Sequence, residues 1–129
     1  MQYKLEMTKE DGHLLARARG QRSLETVVAV AKEVVGACAK HGYDKVLVDV
    51  QNLEGQMGVF DAYAIPAEHF PLLKQLGVLK KAVIVDSEKR RERYVFFESV
   101  ARGRGFNFRA FSDTDAAVKW LLSEDEELF

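Results

Sequence analysis

Three aspartates are the residues of this chain best placed to do chemistry. Asp49, Asp86 and Asp113 each stand at or just past the C-terminal end of a run that reads as a strand. Open α/β sheets gather their ligands at that end of their parallel strands. Three hard carboxylates converging there would make an oxygen site for magnesium, with Asn52 and Glu54 as further ligands. That constellation defines one function class, a metal-dependent enzyme acting on a phosphorylated substrate through Asp49, Asp86 and Asp113. The same residues have a plainer use. Asp86 and Asp113 each precede a helical pattern and suit helix caps, while Asp49 suits bonding to loop amides.

Other chemistry-bearing groups point less far. The segment from Glu88 carries Lys89, Arg90, Arg91, Arg93, Arg102 and Arg104, a basic run that could hold phosphate groups or an acidic partner. Glu88, Glu92 and Glu98 interleave with it, and Glu98 and Arg102 are spaced as an i,i+4 pair, so a solvated helix face is the better account. His13, His41 and His69 lie far apart with no metal spacing. Cys38 falls on an apolar helical stripe and reads as a core thiol rather than a nucleophile. Gly103-Arg104-Gly105 ends a helix instead of following a strand, which makes it a C-cap and not a dinucleotide loop. With no catalytic, metal or phosphate-cradle motif standing out, no cofactor is expected.

Composition narrows the classes further. A chain of 129 residues, 47% hydrophobic, suffices for one domain with its own core. A net charge of −1 with 30% charged residues argues against a bulk affinity for nucleic acid or anionic lipid. The single cysteine cannot form an internal disulfide, which fits a reducing cytoplasm. Apolar runs fall well short of the roughly 18 residues of a membrane span, and the N-terminus opens into an alternating pattern rather than a signal peptide.

The elements that must position these residues follow from periodicity. Tyr3, Leu5 and Met7 alternate with polar neighbours, and after Lys9 to Gly12 a second alternating run covers His13 to Arg19, which predicts a hairpin. Ser23 caps a helix with apolar positions Leu24, Val27, Val28, Ala31, Val35 and Cys38, closed by Gly42. Val46 to Val50 and Lys80 to Val85 are short and almost continuously apolar, as strands inside a sheet must be. Between them, Gly58 to Gln75 is helical in pattern but interrupted by Pro66 and Pro71, predicting two short helices or a kinked one. It is loaded with Met57, Val59, Phe60, Tyr63, Ile65, Phe70, Leu72 and Leu73, and could lie as a lid over an apolar pocket. A long helix to about Arg104, an alternating strand at Phe106 to Phe111 and a last helix through Trp120 and Leu121 complete the order ββαβαβαβα. The acidic tail, residues 123–129, is expected to fray. Right-handed crossovers lay the later strands parallel, with the hairpin adding one antiparallel member.

That order, with Val46-Leu47-Val48-Asp49-Val50 before a loop and helix, resembles the STAS domain of anti-sigma factor antagonists. The closing segment is more similar still to the SpoIIAA-like branch described as STAS or Sec14-like. It carries Phe97, Val100-Ala101-Arg102, the glycine turn Gly103-Arg104-Gly105-Phe106, the strand to Phe111 and the final Trp120-Leu121. The resemblance spans nearly the whole chain and implies an α/β fold with a mixed sheet of about five strands and four helices, largely on one face. It also implies a non-enzymatic binding module. In the antagonists the turn after the central strand holds a serine phosphorylated by a partner kinase. Here Gly58 matches the glycine of that turn but Gln56 and Met57 precede it, and neither carries a hydroxyl, so the switch does not transfer.

The expectation is therefore a cytoplasmic module that binds a protein partner or a small apolar, lipid-like ligand at the C-terminal strand ends and the kinked helix beyond. Its contact residues would be Asp49, Asn52, Glu54, Gln56, Met57, Phe60 and Tyr63, with Asp86 and Ser87 opposite. An exposed sheet edge would also allow a homodimer.

Overall fold

Five strands and four main helices form the computed structural model, which describes residues 3–124. The strands are β1 (Tyr3–Glu10), β2 (His13–Gln21), β3 (Lys45–Glu54), β4 (Lys81–Val85) and β5 (Phe108–Phe111). They lie side by side in sequence order, with β1 antiparallel to β2 and every later neighbour parallel. Val46 pairs with Ala82 and Asp49 with Val85, so the two apolar runs run in one direction at the centre of the sheet. The hairpin turn is tighter than its polar sequence suggests. Glu10 pairs directly with His13, and Gly12 takes the positive φ, +87°, that closes the two-residue link.

The helices are α1 (Leu24–His41), α2 (Val59–Ala64), α3 (Arg91–Gly103) and α4 (Thr114–Leu122). Ser23 Oγ accepts from the Thr26 amide at the start of α1. Gly42, at φ +77°, ends the helix by donating its N–H to the Cys38 carbonyl. Asp113 caps α4 by accepting from the Asp115 amide. Ser87 accepts from Lys89 and opens a 3-10 turn, Glu88–Arg90, that leads into α3.

The two prolines shape the middle of the chain. α2 runs into a wide π-type turn over Ile65–His69, in which the Phe70 amide donates to the Ile65 carbonyl, and then into a 3-10 turn over Phe70–Leu72. Pro66 and Pro71 each sit at the start of their turn, where the missing N–H costs least. A further 3-10 turn, Leu76–Val78, precedes β4. This region is one continuous, irregular helical segment.

Both faces of the central strands are apolar, and both are covered. α1 places Val30, Val34 and Cys38 against Leu14, Ala16, Val46 and Val50. Beside it, Met57, Ala62 and Ile65 meet Phe97 and Ala101 of α3 and Phe108 of β5. The alternate residues Leu47, Val83 and Val85 face the other way and are covered by Ala117 and Leu121 of α4. So among the described residues α4 stands alone on the second face, because period-2 alternation of an all-apolar strand gives it two faces to bury. Ser123, expected to fray, is held instead: Lys81 Nζ donates to its carbonyl and hydroxyl at 3.0 and 3.1 Å and to the Trp120 carbonyl at 2.8 Å. The rest of the expected frayed tail, apart from Glu124, lies outside the described residues.

Candidate functional site

The strand ends of β2, β3 and β4 meet at a buried ion cluster. Asp86, one residue past β4, is 2% exposed. Its Oδ1 accepts from Arg22 Nη2 at 3.1 Å, Arg90 Nη1 at 2.9 Å and the Ser87 amide at 2.8 Å. Arg22, in the link from β2 to α1, also donates to the Val50 and Leu53 carbonyls, at 2.8 and 3.1 Å. Arg90 donates to the Gly55 carbonyl at 3.0 Å. The two guanidiniums thus satisfy carbonyls at the end of β3 and in the loop after it, beyond the last residue of β3 that pairs with β4. Burial pulls Arg22 below its ordinary pKa; Asp86 opposes that shift and the neighbouring Arg90 adds to it.

The three aspartates do not converge. β3 continues to Glu54, so Asp49 lies within the strand rather than at its end. It faces the α4 side, where Oδ1 accepts from the backbone and side-chain nitrogens of Gln51 and Oδ2 lies 3.9 Å from Arg17 Nε. Asp113 is spent as a cap and Asp86 on two arginines. Among the described residues no group of three His, Cys, Asp or Glu side chains is placed to hold a metal ion. The sequence pattern misplaced Asp49 because an apolar run ends where burial ends, whereas a strand ends where its ladder ends.

The other candidate residues divide. Asn52 and Glu54 are exposed in the last turn of β3 pairing, opposite Arg19 and Gln21. Gln56 is exposed, and Met57 is buried at 8% against Phe97 and Ile65. Phe60 projects outward, 88% exposed, next to Val59 at 55%. Tyr63 accepts from Arg104 Nη2 at 2.8 Å, and the guanidinium also lies over its ring. Ser87 is half-buried in its capping role. Of the nine candidates, only Gln56, Met57 and Asp86 share one concavity, a pocket of about 70 Å³ completed by Arg22, Arg90, Arg93 and Tyr94.

A much larger cavity, about 560 Å³, lies between the helices and the sheet. Its floor is Val46, Val48 and Val50 of β3, and one wall is Val27, Val30 and Val34 of α1. Phe70, Leu73, Leu76 and Leu79 cover it from the irregular segment, and Phe97, Phe106 and Phe108 close the far side. The cover expected from Gly58 to Gln75 is thus supplied by its second half and by residues up to Leu79. None of the nine candidate residues lines this cavity. The sequence signals that could have found it are the β-branched floor and the valine stripe of α1, which are indistinguishable from ordinary core by pattern alone.

No protein-family profile matches the chain, and no curated protein does. Solved structures do. An anti-sigma factor antagonist from Mycobacterium paratuberculosis superposes with a TM-score of 0.61 at 14% identity, over 94% of this chain and 95% of that one. An uncharacterized protein of the DUF3478 family with a SpoIIAA-like fold, from Shewanella loihica, superposes with a TM-score of 0.56 at 21% identity, over 93% and 94%. The chain has a SpoIIAA-like fold. In this SpoIIAA-like sheet the loop after β3 presents Gln56, Met57 and Gly58, with no hydroxyl among them. Among the described residues no helix is long and apolar enough to cross a membrane.

Proposed function

We propose that this protein is a non-enzymatic binding module that holds a small apolar molecule between its helical layer and its sheet. The observation that carries the reading is the cavity of about 560 Å³ walled by valine, leucine and phenylalanine. That volume falls within the range of small-molecule sites, about 300–1,000 Å³. Protein interiors otherwise pack like organic crystals. Wall atoms facing an empty space lose their dispersion partners, so an apolar occupant gains contact with the floor and walls. The cover, Phe70 to Leu79, is built from short turns separated by extended residues at Leu73 and Leu79. Such a segment opens at lower cost than a regular helix. A buried, unpaired Cys38 fits a reducing, cytoplasmic setting.

The test is native mass spectrometry of protein purified from its own host, paired with titration of an apolar fluorophore. A retained mass that leaves on denaturation, and saturable uptake of one fluorophore per chain, are the expected results. Bare protein in repeated preparations together with no saturable uptake sinks the reading.

A protein partner is the second reading, and Phe60 favours it. A phenylalanine 88% exposed beside Val59, on a helix that leaves the strand-end rim, is the kind of aromatic anchor that interfaces bury. One of the similar structures is named as an anti-sigma factor antagonist.

A further inference from the structure

The small pocket at the strand ends carries more positive charge than its own residues neutralise. Three arginines line it, the buried Arg22 and Arg90 and the half-buried Arg93, and Asp86 is its one carboxylate. Arg22 and Arg90 both direct bonds to Asp86 Oδ1. Glu54 contributes at a distance to the field on Arg22 but is exposed at the rim, where water screens it. The imbalance is matched by unspent donors. Tyr94 is 4% exposed, and its hydroxyl is buried without a partner among the described residues, as is Arg93 Nε. Arg22 Nη1 and Arg90 Nη2 also make no bond among the described residues, although, unlike the Tyr94 hydroxyl and Arg93 Nε, they are not sealed from water.

Buried donors are almost always satisfied, and a buried charge is held only where it is paired. We propose that this pocket is a phosphate-group site, formed by Arg22, Arg90, Arg93 and Tyr94 and held in shape by Asp86. The donor set selects the class of ligand. A planar carboxylate is satisfied by one guanidinium fork. Four donor groups from the β2–α1 link, the turn after β4 and the first turn of α3 suit an acceptor with oxygens in several directions. A phosphate monoester brings three such oxygens and a charge near −2 at pH 7, which balances three arginines against one aspartate. A volume of about 70 Å³ admits one compact group and little else. Val27, Val50, Met57, Ile84 and Phe97 make most of the pocket's surface apolar, and in such surroundings a charge-assisted bond is stronger than in water. The proposal stands without the apolar ligand, although Val27, Val50, Ile84 and Phe97 line both this pocket and the large cavity.

Amide NMR titration of the intact chain with sodium phosphate, against sodium chloride and sodium acetate at matched ionic strength, tests it. The expected result is a saturable response at Gln56, Arg90, Arg93 and Tyr94 to phosphate alone. Tyr94→Phe removes one hydroxyl that has no partner among the described residues, so the fold stands, and phosphate affinity should fall about tenfold. Arg93→Gln should weaken it by at least as much, and serves if Tyr94→Phe disturbs the fold. Hexyl phosphate separates the two sources of the group. Binding tighter than inorganic phosphate supports a phosphate carried on the cavity's own apolar ligand; equal binding supports a free phosphate. No saturable response, an equal response to acetate, or full affinity in both variants overturns the proposal.

Discussion

Arg90 lies four residues beyond Asp86, and its Nη1 donates to Asp86 Oδ1 at 2.9 Å with both side chains less than a tenth exposed. Because Arg22 donates to the same oxygen from the link before α1, Asp86 joins the link after β2, the end of β4 and the start of α3. Removing the carboxylate charge would leave two buried guanidiniums without their shared counter-charge. Asp86→Asn is therefore expected to cost about 3–5 kcal/mol, the range for breaking a buried pair from one side. Urea unfolding should show it as a lower midpoint with an unchanged slope. A loss under 1 kcal/mol would mean that the cluster is hydrated and does not organise the rim.

That cluster also shows where sequence reading reached and where it stopped. The strands, their parallel order and the caps Ser23, Gly42 and Asp113 were legible, because periodicity and capping chemistry act over a few residues. Asp86 and Ser87 were placed at the rim for the same reason. Arg22 carried no local signal, and Arg90 looked like one more solvated base on a charged helix. Their burial depends on contacts 28 to 64 positions away, to Val50, Leu53 and Asp86 for Arg22 and to Gly55 for Arg90. Asp49 failed for a different cause: β3 extends past its apolar run to Glu54 as a ladder with β2. A lid over an apolar pocket was legible in the segment from Gly58 to Gln75, but the walls of the large cavity were not, because a valine facing a void and a valine facing a leucine leave the same pattern.

Gly103 and Gly105 should respond with opposite sign to the same change. Gly103 is the last residue of α3, its φ is not in the left-handed region, and a Cβ there would meet nothing within 4 Å. Alanine at 103 should gain roughly 0.5–1 kcal/mol through helix propensity and a less flexible unfolded chain. Gly105 sits at φ +91° in the turn that lets the Phe106 amide donate to the Ala101 carbonyl. Alanine at 105 should lose about 1–2 kcal/mol to the left-handed backbone. Thermal melts of the two variants measure both, and equal shifts would contradict the assigned turn.

Cys38 is fully buried, and burial pushes its thiol pKa up to about 11. The folded chain therefore holds this proton more tightly than the unfolded chain, whose thiol titrates near pH 9. Stability from this group is complete below pH 9 and is lost as pH rises from 9 toward 11. A disulfide reagent at pH 8 should label Cys38 only as fast as the chain unfolds, with the rate rising in denaturant. Rapid stoichiometric labelling of the native protein would show that the α1 face opens on its own.

Val48 and Phe60 separate the two binding readings, because each changes one surface without touching the other. Val48 stands half-buried in the floor of the large cavity. Inserting a ring into a packed core costs about 1–3 kcal/mol; inserting one into open cavity space should cost nothing or stabilise. Val48→Phe is thus expected to retain or raise the melting temperature while abolishing saturable fluorophore uptake. Phe60 contributes little to the core, so Phe60→Ser should shift stability by less than about 0.5 kcal/mol and leave fluorophore uptake intact. If Val48→Phe unfolds the protein, the floor is already filled by its neighbours and the apolar-ligand reading loses its site. If Phe60→Ser destabilises the fold by several kcal/mol, the ring packs against the body of the protein, and the exposed anchor for a partner is gone.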